Sequence, residues 1–185
     1  MGRGLAIALA AAVVAVFAAG CGSSGDSTTT TTSGSSAETW ATGVCSSITT
    51  WQESLTSAAS SLKDDPSKDG LTTAADDAKS ATETLASDLK SLGKPDTESG
   101  QQAQDSLDQL ATSLSKDVET IQTAIDGASG VSGILSAITT VTATLKTMGT
   151  EVSLTVSDLQ DLDAKGELSD AFTQSSACTS LLQTS

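Results

Sequence analysis

From residue 38 onward the apolar residues of this chain recur every three or four positions, and almost nothing alternates in twos. Such a period lays one stripe along a helix and does not suit a pleated strand, so the expected class is all-α. Trp40, Val44, Ile48, Trp51, Leu55, Ala58 and Leu62 make a first stripe. It ends near Asp64-Asp65-Pro66, because proline lacks an N–H and restricts the residue before it. Leu71, Ala75, Ala78, Thr82, Leu85, Leu89 and Leu92 make a second, ending at Gly93-Lys94-Pro95. Asp96 suits the N-cap of a third helix carrying Ala103, Leu107, Leu110, Leu114, Val118, Ile121 and Ile125, which Gly127, Gly130 and Gly133 break.

A fourth and longest stripe runs through Ile134, Ile138, Val141, Leu145, Met148, Val152, Leu159 and Leu162 in near-heptad register. Gly149 is its weak point, at about 1 kcal/mol relative to Ala. A short last helix uses Leu168, Phe172 and Leu182. Helices this rich in Ser, Thr, Asp and Gly have poor intrinsic propensity, so each must bury its stripe against neighbours. Short connections make successive helices antiparallel. The expectation is an up-and-down bundle of four long helices plus a short C-terminal one, with an extended antiparallel coiled coil of two long hairpins as the alternative.

The first 37 residues are of another kind. Arg3 precedes a 15-residue uncharged run from Leu5 to Ala19, followed by Gly20 and Cys21. The run is short for a bilayer span, which takes about 20 residues, but has the charge, apolar stretch and small-residue end of an export signal. The stretch resembles the bacterial lipobox. That resemblance implies that Ala18 to Gly20 face a signal peptidase and that Cys21 becomes the first mature residue, carrying diacylglycerol on its sulfur. Ala18 departs from the pattern, where leucine is usual. The rival is an ordinary secretory signal, since Ala18-Ala19-Gly20 also reads as an A-x-A-like site cut at the same bond. Residues 1–20 are thus assigned to a signal, 21–37 to a lipidated cysteine and tether, and 38–185 to the helical domain.

In the tether, 11 of the 14 residues from Ser23 to Ser36 are Ser or Thr, so no apolar group offsets the entropy of ordering it. Residues 22–37 as a flexible coil hold the domain on average roughly 20 Å from its anchor. The threonines also suit O-glycans.

Composition excludes whole classes of chemistry. The chain has 9 Lys plus Arg against 23 Asp plus Glu, net −14, with no His and no Tyr. Arg3 is its one arginine, so loss of residues 1–20 leaves eight lysines and a charge of −15. A chain so acidic, without clustered Lys and Arg, is repelled by nucleic-acid phosphates. Without histidine it lacks the commonest general base near neutral pH and the commonest metal ligand. No G-x-S-x-G turn or phosphate-binding glycine loop is present. The adjacent pairs Asp64-Asp65 and Asp76-Asp77 point about 100° apart on a helix and do not face each other as an acid/base couple would.

Of three cysteines, lipidation of Cys21 would leave Cys45 and Cys178 as an even pair in a compartment where disulfides persist. One lies early in the first helix and the other near the end of the last, so a bridge would close the domain. Two buried thiols are the alternative. A redox pair has no C-x-x-C spacing to support it.

Residues 161–172 resemble an EF-hand calcium loop at Asp161, Asp163, Gly166 and Leu168. Lys165 stands where a third oxygen ligand belongs, and Phe172 replaces the bidentate glutamate. The competing reading is a polar helix end, with Asp163 capping the next helix and Gly166 easing the turn. It outweighs the metal site, so no metal and no cofactor are expected. Trp40 and Trp51 return to within about 20° of one helix face. Core packing is the usual meaning, and contact with a partner or the membrane interface is the other.

The function expected is therefore a lipid-anchored protein on the extracytoplasmic face of the cell membrane, secreted if not lipidated. It would bind or space an envelope protein, a polymer or an apolar ligand without catalysis. The rivals are a carboxylate-dependent envelope hydrolase and a weak calcium-regulated binding module.

Overall fold

The computed structural model describes residues 36–162 and 165–183. The expected signal, Cys21, the tether up to residue 35 and Asp163 lie outside the described residues. Six helices follow in order: α1 (Ala37–Asp64), α2 (Lys68–Leu92), α3 (Gly100–Asp126), α4 (Gly130–Asp161), α5 (Glu167–Gln174) and α6 (Ser176–Gln183). The class is all-α, with four long helices packed in sequence, and α5 and α6 returning against α1.

Serine and threonine are tolerated in these helices because their hydroxyls turn back onto their own backbone. Thr49 Oγ1 donates to the Cys45 carbonyl at 2.8 Å, Thr56 to Gln52 at 2.8 Å and Thr123 to Glu119 at 2.8 Å. Each hydroxyl thus finds an acceptor one turn back and takes no partner from the bundle. The ends are fixed locally. Ser67 Oγ accepts from the Gly70 N–H at 3.1 Å and caps α2, which stops at Gly93 with φ at 62°. That left-handed conformation suits glycine, which has no Cβ to clash.

Asp96 does not cap α3. Ser99 occupies the N-cap position, and its hydroxyl makes no capping bond because it donates to the Leu162 carbonyl at 2.9 Å. The bond ties the start of α3 to the end of α4. The Pro95 carbonyl sits where a Cβ of Gly100 would stand, so the turn needs glycine there. At the same end of the bundle, Trp40 Nε1 donates to the Gly93 carbonyl at 2.8 Å. At the other end, Lys68 Nζ donates to the Ala128 carbonyl at 2.9 Å. These cross-ties set the antiparallel register.

All seven apolar positions expected on the third helix are buried, as are Leu71, Ala75, Ala78, Thr82, Leu85 and Leu89 of the second. On α1, Trp40, Val44, Ile48, Trp51 and Ala58 are buried, whereas Leu55 and Leu62 are only partly covered. Leu55, Ala78, Ile121 and Val141, from all four long helices, line one small void. A compact bundle therefore replaces the alternative of separate hairpins.

Three further expectations need correction. Along α4 the inward face is Ala137, Val141, Thr144, Met148, Val152, Val156 and Leu159. Ile134, Ile138, Leu145 and Leu162 are at its margin, only partly buried. Gly133 falls inside α4 and Gly130 begins it, so of the three glycines Gly127 alone closes α3. The single C-terminal helix is in fact two. Ser175 adopts an extended conformation, with ψ at 121°, and its N–H still bonds to the Ala171 carbonyl. Its own carbonyl then accepts the Thr179 N–H at 3.0 Å in the first turn of α6. The Ser175 hydroxyl accepts from Thr42 Oγ1 of α1 at 3.1 Å, which holds the kink against the bundle.

Candidate functional site

Cys45 and Cys178 form the expected disulfide, with Cα atoms 5.0 Å apart. Both are fully buried. The bridge joins α1 to α6, and the kink at Ser175 is what brings an eight-residue helix into position for it. Disulfides persist in oxidising compartments, so the bond fits an extracytoplasmic location. No described helix is long and apolar enough to cross a membrane.

Both tryptophans are buried in the core. Trp40 is completely buried and meets the Phe172 ring edge-to-face, with centroids 6.1 Å apart. Trp51 is also buried, and its Nε1 donates to Thr82 Oγ1 at 3.2 Å. That bond explains how a threonine sits on the apolar face of α2, since each buried polar group satisfies the other. Ring and polar tip are thus both engaged internally, and Trp51 also forms part of the lining of two surface grooves.

The calcium-loop pattern folds as a helix junction. Asp161 is exposed at the end of α4, Gly166 takes a left-handed φ of 77° at the N-cap of α5, and Asp163, expected to be that cap, lies outside the described residues. Lys165 Nζ reaches Glu98 Oε2 at 3.1 Å. Phe172, at the position of the missing glutamate, is fully buried against Trp40. Among the described residues no three Cys, Asp or Glu side chains gather with metal-binding geometry.

Three of the grooves among the described residues bear on the site. Between α1 and α2 lies one of about 400 Å³, floored by Trp51 and lined by Ser47, Thr50, Ser54, Thr84 and Asp88. Three of its hydroxyls turn back onto their own helices: Thr50 donates to Ser46, Ser54 to Thr50 and Thr84 to Ser80. The pairs Asp64-Asp65 and Asp76-Asp77 are exposed. A second groove of about 280 Å³ separates α3 from α4, with Ser113, Glu151, Leu154 and Asp158 in its walls.

The third groove, also about 400 Å³, opens between α1 and α4 and is lined by Trp51, Leu55, Ala59, Leu145 and Gly149 among others. It continues a feature that runs along α4. At 100° per residue, Val131, Leu135, Ile138, Leu145 and Gly149 lie within about 40° of one line on the helix surface. That line is roughly 90° away from the inward face of α4. Val131 is 78% exposed and Leu135 60%. The helix is thus apolar over a broad arc, one part buried in the bundle and the other running from the exposed Val131 and Leu135 to the partly buried Ile138 and Leu145. Sequence periodicity merged the two parts into one stripe.

Asp117 and Glu151 also escaped notice in the sequence. Each sits next to a buried valine, Val118 on α3 and Val152 on α4. Asp117 Oδ2 and Glu151 Oε2 are sealed from solvent and have no hydrogen-bond partner. Burial pushes the Asp117 carboxyl above its ordinary range; burial, and then the charge of Asp117, do the same to Glu151.

Comparison with protein-family models, curated proteins and solved structures finds no match for this chain.

Proposed function

We propose that this protein is lipid-anchored at the extracytoplasmic face of the cell membrane and binds an envelope partner without catalysis, through the open apolar face of α4. The observation that carries the reading is the run Val131, Leu135, Ile138 and Leu145, which leads into the α1–α4 groove. Val131 and Leu135, one turn apart and each more than half exposed, are costly to leave in water and favour association, and the partly covered Ile138 and Leu145 extend the line toward the groove. The groove floor is preformed, so binding would not have to order it first. The lipobox-like stretch ending at Cys21 supports the anchor, and the buried disulfide supports export.

Two experiments test the reading. Replacing Cys21 by Ala should move the protein from the membrane to the soluble exported fraction, because acyl chains contribute about 0.8 kcal/mol per buried CH₂. Retention on the membrane would refute the anchor. A photo-crosslinker at Leu135 in cells should give a discrete adduct that Val131→Lys abolishes. An adduct pattern unchanged by that substitution would refute the α4 surface.

A further inference from the structure

Gly149 stands in the interior of α4, where glycine weakens a helix relative to alanine, and nothing within the described fold requires it. Its φ is not left-handed, and a Cβ there would meet no atom of the described residues within 4 Å. Gly43 of α1 and Gly133 of α4 differ in this, since a Cβ at the first would run into Leu92 and one at the second would press on Ala128. Glycine also leaves bare backbone where another molecule can come close, and the open space beside Gly149 belongs to the α1–α4 groove.

That groove is an uncharged slot in a chain of net −14: none of its lining residues is charged. Its polar tips are already engaged at two places, Trp51 Nε1 with Thr82 and the Thr56 hydroxyl with the Gln52 carbonyl at 2.8 Å. Leu55, Ala59 and Leu145 line the groove and also line the small void among the four long helices. The wall toward the core is therefore apolar, with space behind it.

We propose that the α1–α4 groove holds the alkyl chain of a free single-chain lipid with an uncharged head group, lying against Gly149 between Leu55 and Leu145. The proposal deepens the reading of the α4 face as a binding surface and rests on it. Size, area and polarity select the occupant. At about 30 Å³ for a group the size of water, the 400 Å³ of the groove takes about a dozen methylenes. A protein partner, a second copy included, needs about 20–30 residues a side for a stable interface, and the groove offers seven. An extended peptide would bring backbone N–H and C=O groups that an apolar wall leaves unsatisfied, whereas an alkyl chain brings none. The net charge of the chain repels an anionic head group, and the Gln52 amide in the groove wall can hydrogen-bond to a hydroxylated one.

The probe is monolauroylglycerol below its critical micelle concentration, added to the full chain carrying Cys21→Ala so that no acyl chain of its own competes. Calorimetry should show saturable binding of one ligand per chain, with a parallel change in tryptophan emission because Trp51 lines the groove. Glycerol alone should give no signal. Gly149→Leu fills the groove and should weaken binding by more than about tenfold, with a melting temperature no lower than that of its parent because leucine is the better helix former. Leu154→Ala removes a leucine 59% exposed, about 140° away around α4, and should leave binding unchanged. Absence of saturable binding overturns the proposal, as do equal affinities in Gly149→Leu and its parent, an equal loss in Leu154→Ala, or a signal from glycerol. If Gly149→Leu does not fold, the parent titration and the glycerol control decide. A Leu135 adduct that Val131→Lys abolishes, found together with no lipid binding, would refute this proposal and leave the α4 surface standing.

Discussion

Replacing both Cys45 and Cys178 by Ala should cost the domain about 5 kcal/mol at most. The two are separated by 133 positions, so the bridge confines nearly the whole domain in the unfolded state. The loop-closure relation gives an entropy near −17 cal/mol/K for a loop of that size, or about 5 kcal/mol at 25 °C. Observed losses for native bridges run about 2–5 kcal/mol, since the unbridged chain is more compact than a random coil. Alanine is the right replacement because both sulfurs are fully buried, and serine would add a hydroxyl that needs a partner. At about 2–4 °C per kcal/mol for a domain of this size, the melting temperature should fall by roughly 5–20 °C. Urea unfolding of wild type and double variant, with the wild type repeated under reductant, measures the loss. A loss below about 1 kcal/mol would show that the bridge does not constrain the unfolded chain as the relation requires. Alkylation of the non-reduced, denatured wild type at both positions would show that the bridge is not formed.

Phe172→Ala should destabilise by about 3–5 kcal/mol, the usual cost of removing a buried aromatic ring; it removes the edge contact with Trp40, and a loss near zero in urea unfolding would contradict the burial. Calcium titration followed by calorimetry should give no saturable signal, and Asp161→Asn should leave the melting temperature unchanged, because Lys165 is engaged with Glu98 and Phe172 is in the core. A saturable signal abolished by Asp161→Asn would reinstate an ion-regulated module.

Where the sequence pattern was sharp, the fold was legible. On α3 the apolar residues at the three–four spacing are flanked by polar ones except for the small Ala111 and Ala124, leaving a single way to turn the helix, and all seven positions are buried. Proline and glycine marked the ends of α1 and α2 because their effects are local. The kink at Ser175 was not legible. It depends on a threonine of α1, Thr42, more than 130 positions away, and on the position of Cys45. Asp96 was misread as a cap for the same reason: the choice of Ser99 is bound up with the Leu162 carbonyl, which only the folded bundle brings there.

The same physics explains why the candidate surface was hidden. Periodicity identifies a buried stripe only when the rest of the helix is polar. On α4 that condition fails, because the inward residues Ala137, Val141, Met148 and Val152 are joined by Val131, Leu135, Ile138 and Leu145 on an adjoining line. Either line would pack a core. In the bundle the line through Ala137, Val141, Thr144 and Met148 is buried, while Ile138 and Leu145 are left at the margin, Leu145 facing the α1–α4 groove. A helix that served only the core would need the first line alone. The second is covered only in part, from Ile138 and Leu145 at the margin of the core to Val131 and Leu135 largely in solvent, so its outer end contributes less to folding and is left for association.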